Sequence, residues 1–216
     1  MVYNKHMFLN NYKKNVFTLE EIQEIENSIS NELKTRQHIE WSDNLMGNTH
    51  TENLVRIKRD FLGRIEINNL PVSDAIINKV LGLAKDMFQL EKSYPENISG
   101  ITYVEYNPKY GTPSLNVHKD NGSCGFILDY QLSSNISWPF GVEESTYILS
   151  DNSILAMYPT THYHWRPSIE WSEGSFVRLI FFEFFTPGLE KIEDLIKYEK
   201  TLKFSAEFRQ ERKNEI

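Results

Sequence analysis

Apolar side chains recur at Ile22, Ile25, Ile29 and Leu33, a spacing that predicts one amphipathic helix. Thr18-Leu19-Glu20-Glu21 opens it as a capping box, in which the Thr18 hydroxyl accepts from the Glu21 amide and Glu21 reaches back. A second helix is expected from near Ser73 through "DAIINKVLGLAKDMFQLE", burying Ile76, Ile77, Val80, Leu83, Ala84 and Met87. Between them "HIEWSDNLMGNTH" is rich in turn formers and reads as loop, and "LVRIKRDFLGRIEI" reads as one or two short strands.

From residue 98 the period changes from helical to alternating. "ISGITYVEYN", "SLNVHKD", "CGFILDYQLS", "WPFGVEESTYIL", "NSILAMYPTTHYHW" and "SFVRLIFFEFF" are short runs rich in aromatic and β-branched residues. Turn signals such as Asn107-Pro108, Asn121-Gly122, Asp151-Asn152 and Glu173-Gly174 separate them, which predicts a sandwich or barrel of antiparallel strands. After Pro187 the pattern is helical and charged again. The class is therefore α+β in a single domain: residues 1–97 as a helical support region, 98–186 as the β-core, 187–216 as a C-terminal helix and tail.

Composition narrows the function classes. A net charge of −7 argues against nucleic acid or an anionic membrane as partner. One cysteine, Cys124, excludes an intramolecular disulfide and most thiolate metal sites. No apolar run approaches the ~18 residues of a membrane span, and the N-terminal segment lacks the apolar stretch of a signal peptide. A soluble, cytoplasmic protein is the expectation. Neither a Gly-rich phosphate loop nor a nucleophile elbow is present.

The candidate chemistry lies in "SLNVHKDNGSCGF". His-x-acid occurs three times, at His38, His50 and His118, so the motif alone decides nothing. His38 and His50 precede the β-core and read as surface residues. His118 and Asp120 end a strand-like run, where residues two apart project to one face. The later "YPTTHYHWRP" offers His162 and His164 as further ligands. Two His and one carboxylate make the facial triad suited to non-haem Fe(II).

The ordered set Tyr106-Asn-Pro-Lys-Tyr-Gly, His118-x-Asp120, His164 and a downstream Arg resembles the Fe(II)- and 2-oxoglutarate-dependent dioxygenases, in particular their small prolyl-hydroxylase-like branch. The likeness spans about residues 98 to 186. One extra residue separates Tyr106 from Gly111, and Tyr158-Pro159-Thr160 stands where the family often has Phe-Pro-Ser. The resemblance implies a double-stranded β-helix (jelly-roll, cupin-like) core and Fe(II) held by His118, Asp120 and His164. His162 then packs or contacts substrate. It also implies 2-oxoglutarate and O2 as co-substrates, with succinate and CO2 released as an unactivated C–H bond is hydroxylated or desaturated. Asp120 disfavours halogenation, since the family's halogenating members lack this carboxylate.

By the same resemblance Arg178, fourteen positions beyond His164, anchors 2-oxoglutarate. Ile180 stands where a small hydroxyl residue is frequent, which leaves Arg166 of "His-Trp-Arg" as a rival anchor. A structural ion pair with Glu143, Glu144 or Glu183 is the other role open to Arg178. Tyr106 or Tyr103 would add a hydroxyl to the same carboxylate, and Trp165 would line the substrate pocket. The implied substrate is a small amino-acid or peptide-derived molecule, or second a prolyl or other residue of a protein. A non-enzymatic cupin-like barrel that binds a metal or a small acid is the competing reading.

Overall fold

The computed structural model describes residues 11–40, 54–59, 62–88, 95–120 and 124–185. Helix α1 (Leu19–Thr35) starts at the expected capping box, with Thr18 Oγ1 accepting from the Glu21 amide and the Glu21 carboxylate from the Thr18 amide. Ile25 and Ile29 form its buried face. Helix α2 (Asp74–Met87) is capped by Ser73 and buries Ile76, Val80, Ala84 and Met87. Among the described residues no helix is long and apolar enough to cross a membrane.

Twelve described strands follow the chain: β1 (Tyr12–Lys14), β2 (Gln37–Glu40), β3 (Leu54–Lys58), β4 (Arg64–Ile67), β5 (Gly100–Tyr106), β6 (Leu115–His118), β7 (Cys124–Ser134), β8 (Phe140–Val142), β9 (Ser145–Tyr147), β10 (Ser153–Met157), β11 (His164–Arg166) and β12 (Val177–Phe185). Eight form a major sheet in the order β1-β10-β7-β12-β5-β4-β3-β2, and four a minor sheet in the order β6-β11-β8-β9. From β5 to β12 the chain alternates between the sheets in the manner of a jelly roll, except that β8 and β9 form a hairpin within the minor sheet. The sheets pack face to face: Ile127, Leu155 and Met157 of the major sheet share one apolar cluster with Phe140 and Val142 of the minor sheet. The architecture is α+β with a double-stranded β-helix core, as the alternating pattern and the resemblance together implied.

Alternation along the strands divides the major sheet. Ile180, Phe182 and Phe184 of β12 join Tyr103, Phe126, Leu128 and Tyr130 under the two helices. Val177 and Leu179 face the other way, with Val104, Tyr106 and Trp138, into the barrel. Phe181 borders both inward clusters.

The N-terminal region contributes more than helices, because β1 to β4 are part of the major sheet. His38, Ile39 and Glu40, read as loop, form β2 in parallel with β3. This is an outermost strand with all four residues at least partly exposed, so no apolar alternation marks it. The rest of that loop and the C-terminal helix expected after Pro187 lie outside the described residues.

The entry to β6 is pinned by glycine. Gly111 has φ +114°, and a Cβ there would fall 2.2 Å from the Arg59 carbonyl oxygen. The chain then turns into β6, where the Ser114 amide donates to the Leu62 carbonyl oxygen at 3.2 Å.

Candidate metal centre

β6 and β11 pair antiparallel with His118 directly opposite His164. Facing residues in such a pair project from the same side of the sheet, and the two rings lie 4.2 Å apart between centroids. Asp120, two residues beyond His118, is held in place by its amide, which donates to the Pro159 carbonyl oxygen at 2.9 Å.

Each imidazole is oriented through its far nitrogen. His118 Nδ1 lies 2.7 Å from the Asn116 carbonyl oxygen, and His164 Nδ1 lies 3.2 Å from that of His162. A carbonyl only accepts, so each Nδ1 carries the proton and each Nε2 presents a lone pair. Those lone pairs meet the Asp120 carboxylate, with Oδ1 at 3.3 Å from His118 Nε2 and 3.5 Å from His164 Nε2. All three ligand atoms lie within 4.8 Å of one another. An ion about 2.1 Å from each of three cis ligands would set them roughly 3 Å apart, so a small tightening seats one.

Three acceptors converging on one point repel unless a proton or a cation lies between them, and the electrostatics have that sense. Burial works to raise the Asp120 pKa, yet the contacts with His118 and His164 outweigh it and hold the carboxyl well below the usual range. Burial works to lower that of His164, but Asp120 raises it in net.

Inward from this centre lies a buried polar pair that does not touch. Arg166, on the same face of β11 as His164, is 4 % exposed. Its Nη1 donates to the Trp138 carbonyl oxygen at 2.6 Å, and the guanidinium lies over the Trp138 and Phe140 rings. Nε and Nη2 are buried without a hydrogen-bond partner, as is Oδ1 of Asp129 on β7. Burial pushes the Asp129 carboxyl up to about 6, although Arg166 and His164 pull it the other way. A guanidinium with two free donors facing into the barrel is a ready grip for an anion.

Arg178, the other candidate anchor, faces elsewhere. It projects from the helix-covered face of β12, where its guanidinium meets both Glu26 carboxylate oxygens of α1. Nε also donates to the Tyr103 hydroxyl at 3.0 Å. A structural ion pair was the alternative weighed for Arg178, but the partner is Glu26. Tyr103 goes with it: its hydroxyl donates to Glu105 on that same outer face, away from the barrel. Tyr106 does face inward, buried against Trp138, and its hydroxyl accepts from Arg64.

The structure also places Trp165 and His162. Trp165 alternates with His164 and Arg166, and its indole crosses Gly141, where a Cβ would fall 2.2 Å from Cε2. It therefore lies off the face that carries the site. His162 packs edge-on to Tyr158, with ring centroids 5.7 Å apart, and acts on the centre through its carbonyl oxygen. Asp129 and Glu183 were not singled out from sequence as site groups. The available signal was a single acid set at inward-facing parity within each of two apolar strands.

No protein-family model and no curated protein sequence matches the chain. Solved structures do match in fold. The crystal structure of AviO1 from Streptomyces viridochromogenes Tue57 superposes with a TM-score of 0.53 at 13% identity, covering 83% of this chain and 91% of that one. An oxidoreductase of the 2OG-Fe(II) oxygenase family from Burkholderia pseudomallei gives 0.51 at 13% identity, covering 80% and 84%. A prolyl hydroxylase from Trichoplax adhaerens, in complex with a hypoxia inducible factor peptide fragment, gives 0.50 at 11% identity, covering 82% and 84%. At these identities the likeness is one of fold: the chain shares the architecture of these three structures.

Proposed function

We propose that this protein is a 2-oxoglutarate-dependent non-haem iron oxygenase that hydroxylates or desaturates a C–H bond of a small amino-acid-like or peptide-derived substrate. The observation that carries the proposal is the meeting of two imidazole Nε2 lone pairs and the Asp120 carboxylate at one point on the inner face of the barrel. His118, Asp120 and His164 would hold Fe(II), which when bound couples the oxidative decarboxylation of 2-oxoglutarate to oxidation of the substrate.

The protein's own groups have separate tasks. The Asn116 and His162 carbonyl oxygens keep both ligating rings in the Nδ1-protonated tautomer, so that Nε2 stays free for the ion. Arg166 binds the far carboxylate of 2-oxoglutarate through Nε and Nη2, while Trp138 and Phe140 fix the guanidinium plane. Asp129, already held up to about 6 by burial, would be raised further by the approaching carboxylate and take up a proton, meeting it as a donor. The apolar wall of Ile127, Phe140, Leu155 and Phe181 limits water around the reacting centre.

An anaerobic titration of the metal-stripped protein with Fe(II) and 2-oxoglutarate tests this. The visible charge-transfer band of a chelated complex is expected for the wild type, absent in His118→Ala, and weakened in Arg166→Ala. No band in the wild type and no succinate after air is admitted would leave a metal- or acid-binding barrel without this chemistry.

A further inference from the structure

We propose that the substrate of this site carries a protonated amine on an apolar carbon body, and that Glu183 is the counter-ion that receives it. This deepens the oxygenase reading of the same site and rests on it.

Glu183 has the parity of Leu179 and Phe181 on β12, and so faces into the barrel. It sits at the metal end. Its partners across β12 are Gly100 at the start of β5 and Ile127 near the start of β7, and it lies close enough to Asp120 for each to feel the other's charge.

The carboxylate is half provided for. Thr102 Oγ1 donates to Oε1 at 3.1 Å. The other oxygen, Oε2, lies over Gly100, where a Cβ would come within 3.0 Å, so the absence of a side chain at residue 100 gives the carboxylate its room. Among the described residues the Glu183 side chain has no other hydrogen bond and no ion pair within 4.0 Å. Burial above all, with smaller contributions from Asp120 and from Glu66 (itself paired with Lys58 and Arg64), pushes its carboxyl up to about 7.

Burial disfavours the ionised form of this partly buried carboxyl unless something compensates it. A cation placed on Oε2 would do so. The neighbouring inward surface, from Ile127, Met157 and Phe181, is apolar. A ligand that satisfies both halves has an ammonium at one end and an aliphatic or aromatic body at the other. A neutral hydroxyl of equal length leaves the charge uncompensated, and an anion is repelled.

The test uses the full chain loaded with Mn(II), whose paramagnetism relaxes the protons of any small molecule held beside it. n-Butylamine, protonated at pH 7.5, and n-butanol are titrated separately. The wild type is expected to bind the amine at least ~10-fold more tightly than the alcohol, the scale of one charge-assisted hydrogen bond. Glu183→Gln should bring the two within about twofold. Gly100→Ala, which keeps the charge and crowds Oε2, should weaken the amine selectively. It also keeps the proposal testable if the Gln variant folds poorly. Equal binding of amine and alcohol, binding of neither, or a preference that survives both substitutions would overturn it. The Fe(II)/2-oxoglutarate charge-transfer band of the same preparation is scored independently. Loss of the band sinks the oxygenase reading, whereas loss of the amine preference with the band intact sinks only this one.

Discussion

Arg178 and Glu26 form a two-point ion pair, Nη1 to Oε1 at 2.7 Å and Nη2 to Oε2 at 2.5 Å, which clamps β12 of the major sheet to α1. Both side chains are mostly shielded, so the pair contributes to stability more than an exposed one does. Arg178→Ala is expected to lower the unfolding free energy by about 1–3 kcal/mol. The KM for 2-oxoglutarate should stay within about twofold of wild type. Urea unfolding and succinate release measure the two effects. A large rise in KM with little loss of stability would return Arg178 to the co-substrate site.

Arg166 should behave in the opposite way. Arg166→Ala removes the two free donors inside the barrel and is expected to raise the KM for 2-oxoglutarate by roughly 10- to 100-fold. Arg166→Lys keeps the charge but not the fork, and should recover only part of the loss. An unchanged KM in a folded Arg166→Ala variant would refute the anchor.

Metal loading should appear in the melting temperature. An ion that binds only the folded chain adds about 2.7 kcal/mol at a hundredfold excess over Kd, or roughly 5–10 °C for a chain of this size. Co(II) or Mn(II) added to chelator-treated protein should produce such a shift in scanning calorimetry. His164→Ala and Asp120→Ala should abolish it. A shift that persists in both variants would place the ion elsewhere.

Asp129 gives a pH dependence with a definite sign. Its carboxyl is held up to about 6 in the fold, above its ordinary value of 3.8. The folded chain thus binds the proton more tightly than the unfolded one, and stability from this group is complete below about pH 4. It is lost as pH rises toward 6 and stays lost above it. In metal-free protein Asp129→Asn should therefore stabilise on the order of 2–3 kcal/mol more at pH 7.5 than at pH 4. Urea midpoints of both proteins at the two pH values measure it, and a difference independent of pH would mean that Asp129 titrates normally.

Much of the fold was legible because local rules decided it. The Thr18–Glu21 box and the α2 stripe are short-range features that packing reinforced. The grouping of His118, Asp120 and His164 was legible in outline, since the two-residue spacing of His118 and Asp120 suits a strand end and only the cross-strand register had to bring in His164. Arg178 was singled out by its distance along the chain from His164, and parity along β12 was not weighed. Residues 178 and 183 lie an odd number apart on one strand, so they project from opposite faces and do not meet. The same parity puts Arg178 beside Ile180 and Phe182, under the helices. Strands β1 and β2 were not legible, because three or four residues at a sheet edge carry too little alternation.

The apolar layer beneath the helices bears on how the chain divides. Val55, Ile65 and Ile67 of β3 and β4 share that layer with Phe126, Leu128 and Phe182, and β4 hydrogen-bonds directly along β5. A fragment cut at residue 98 would keep every triad residue, yet bare one flank of β5 and the back of the major sheet. Minimising this protein to its ligand-bearing half would yield an aggregating species rather than a smaller catalyst.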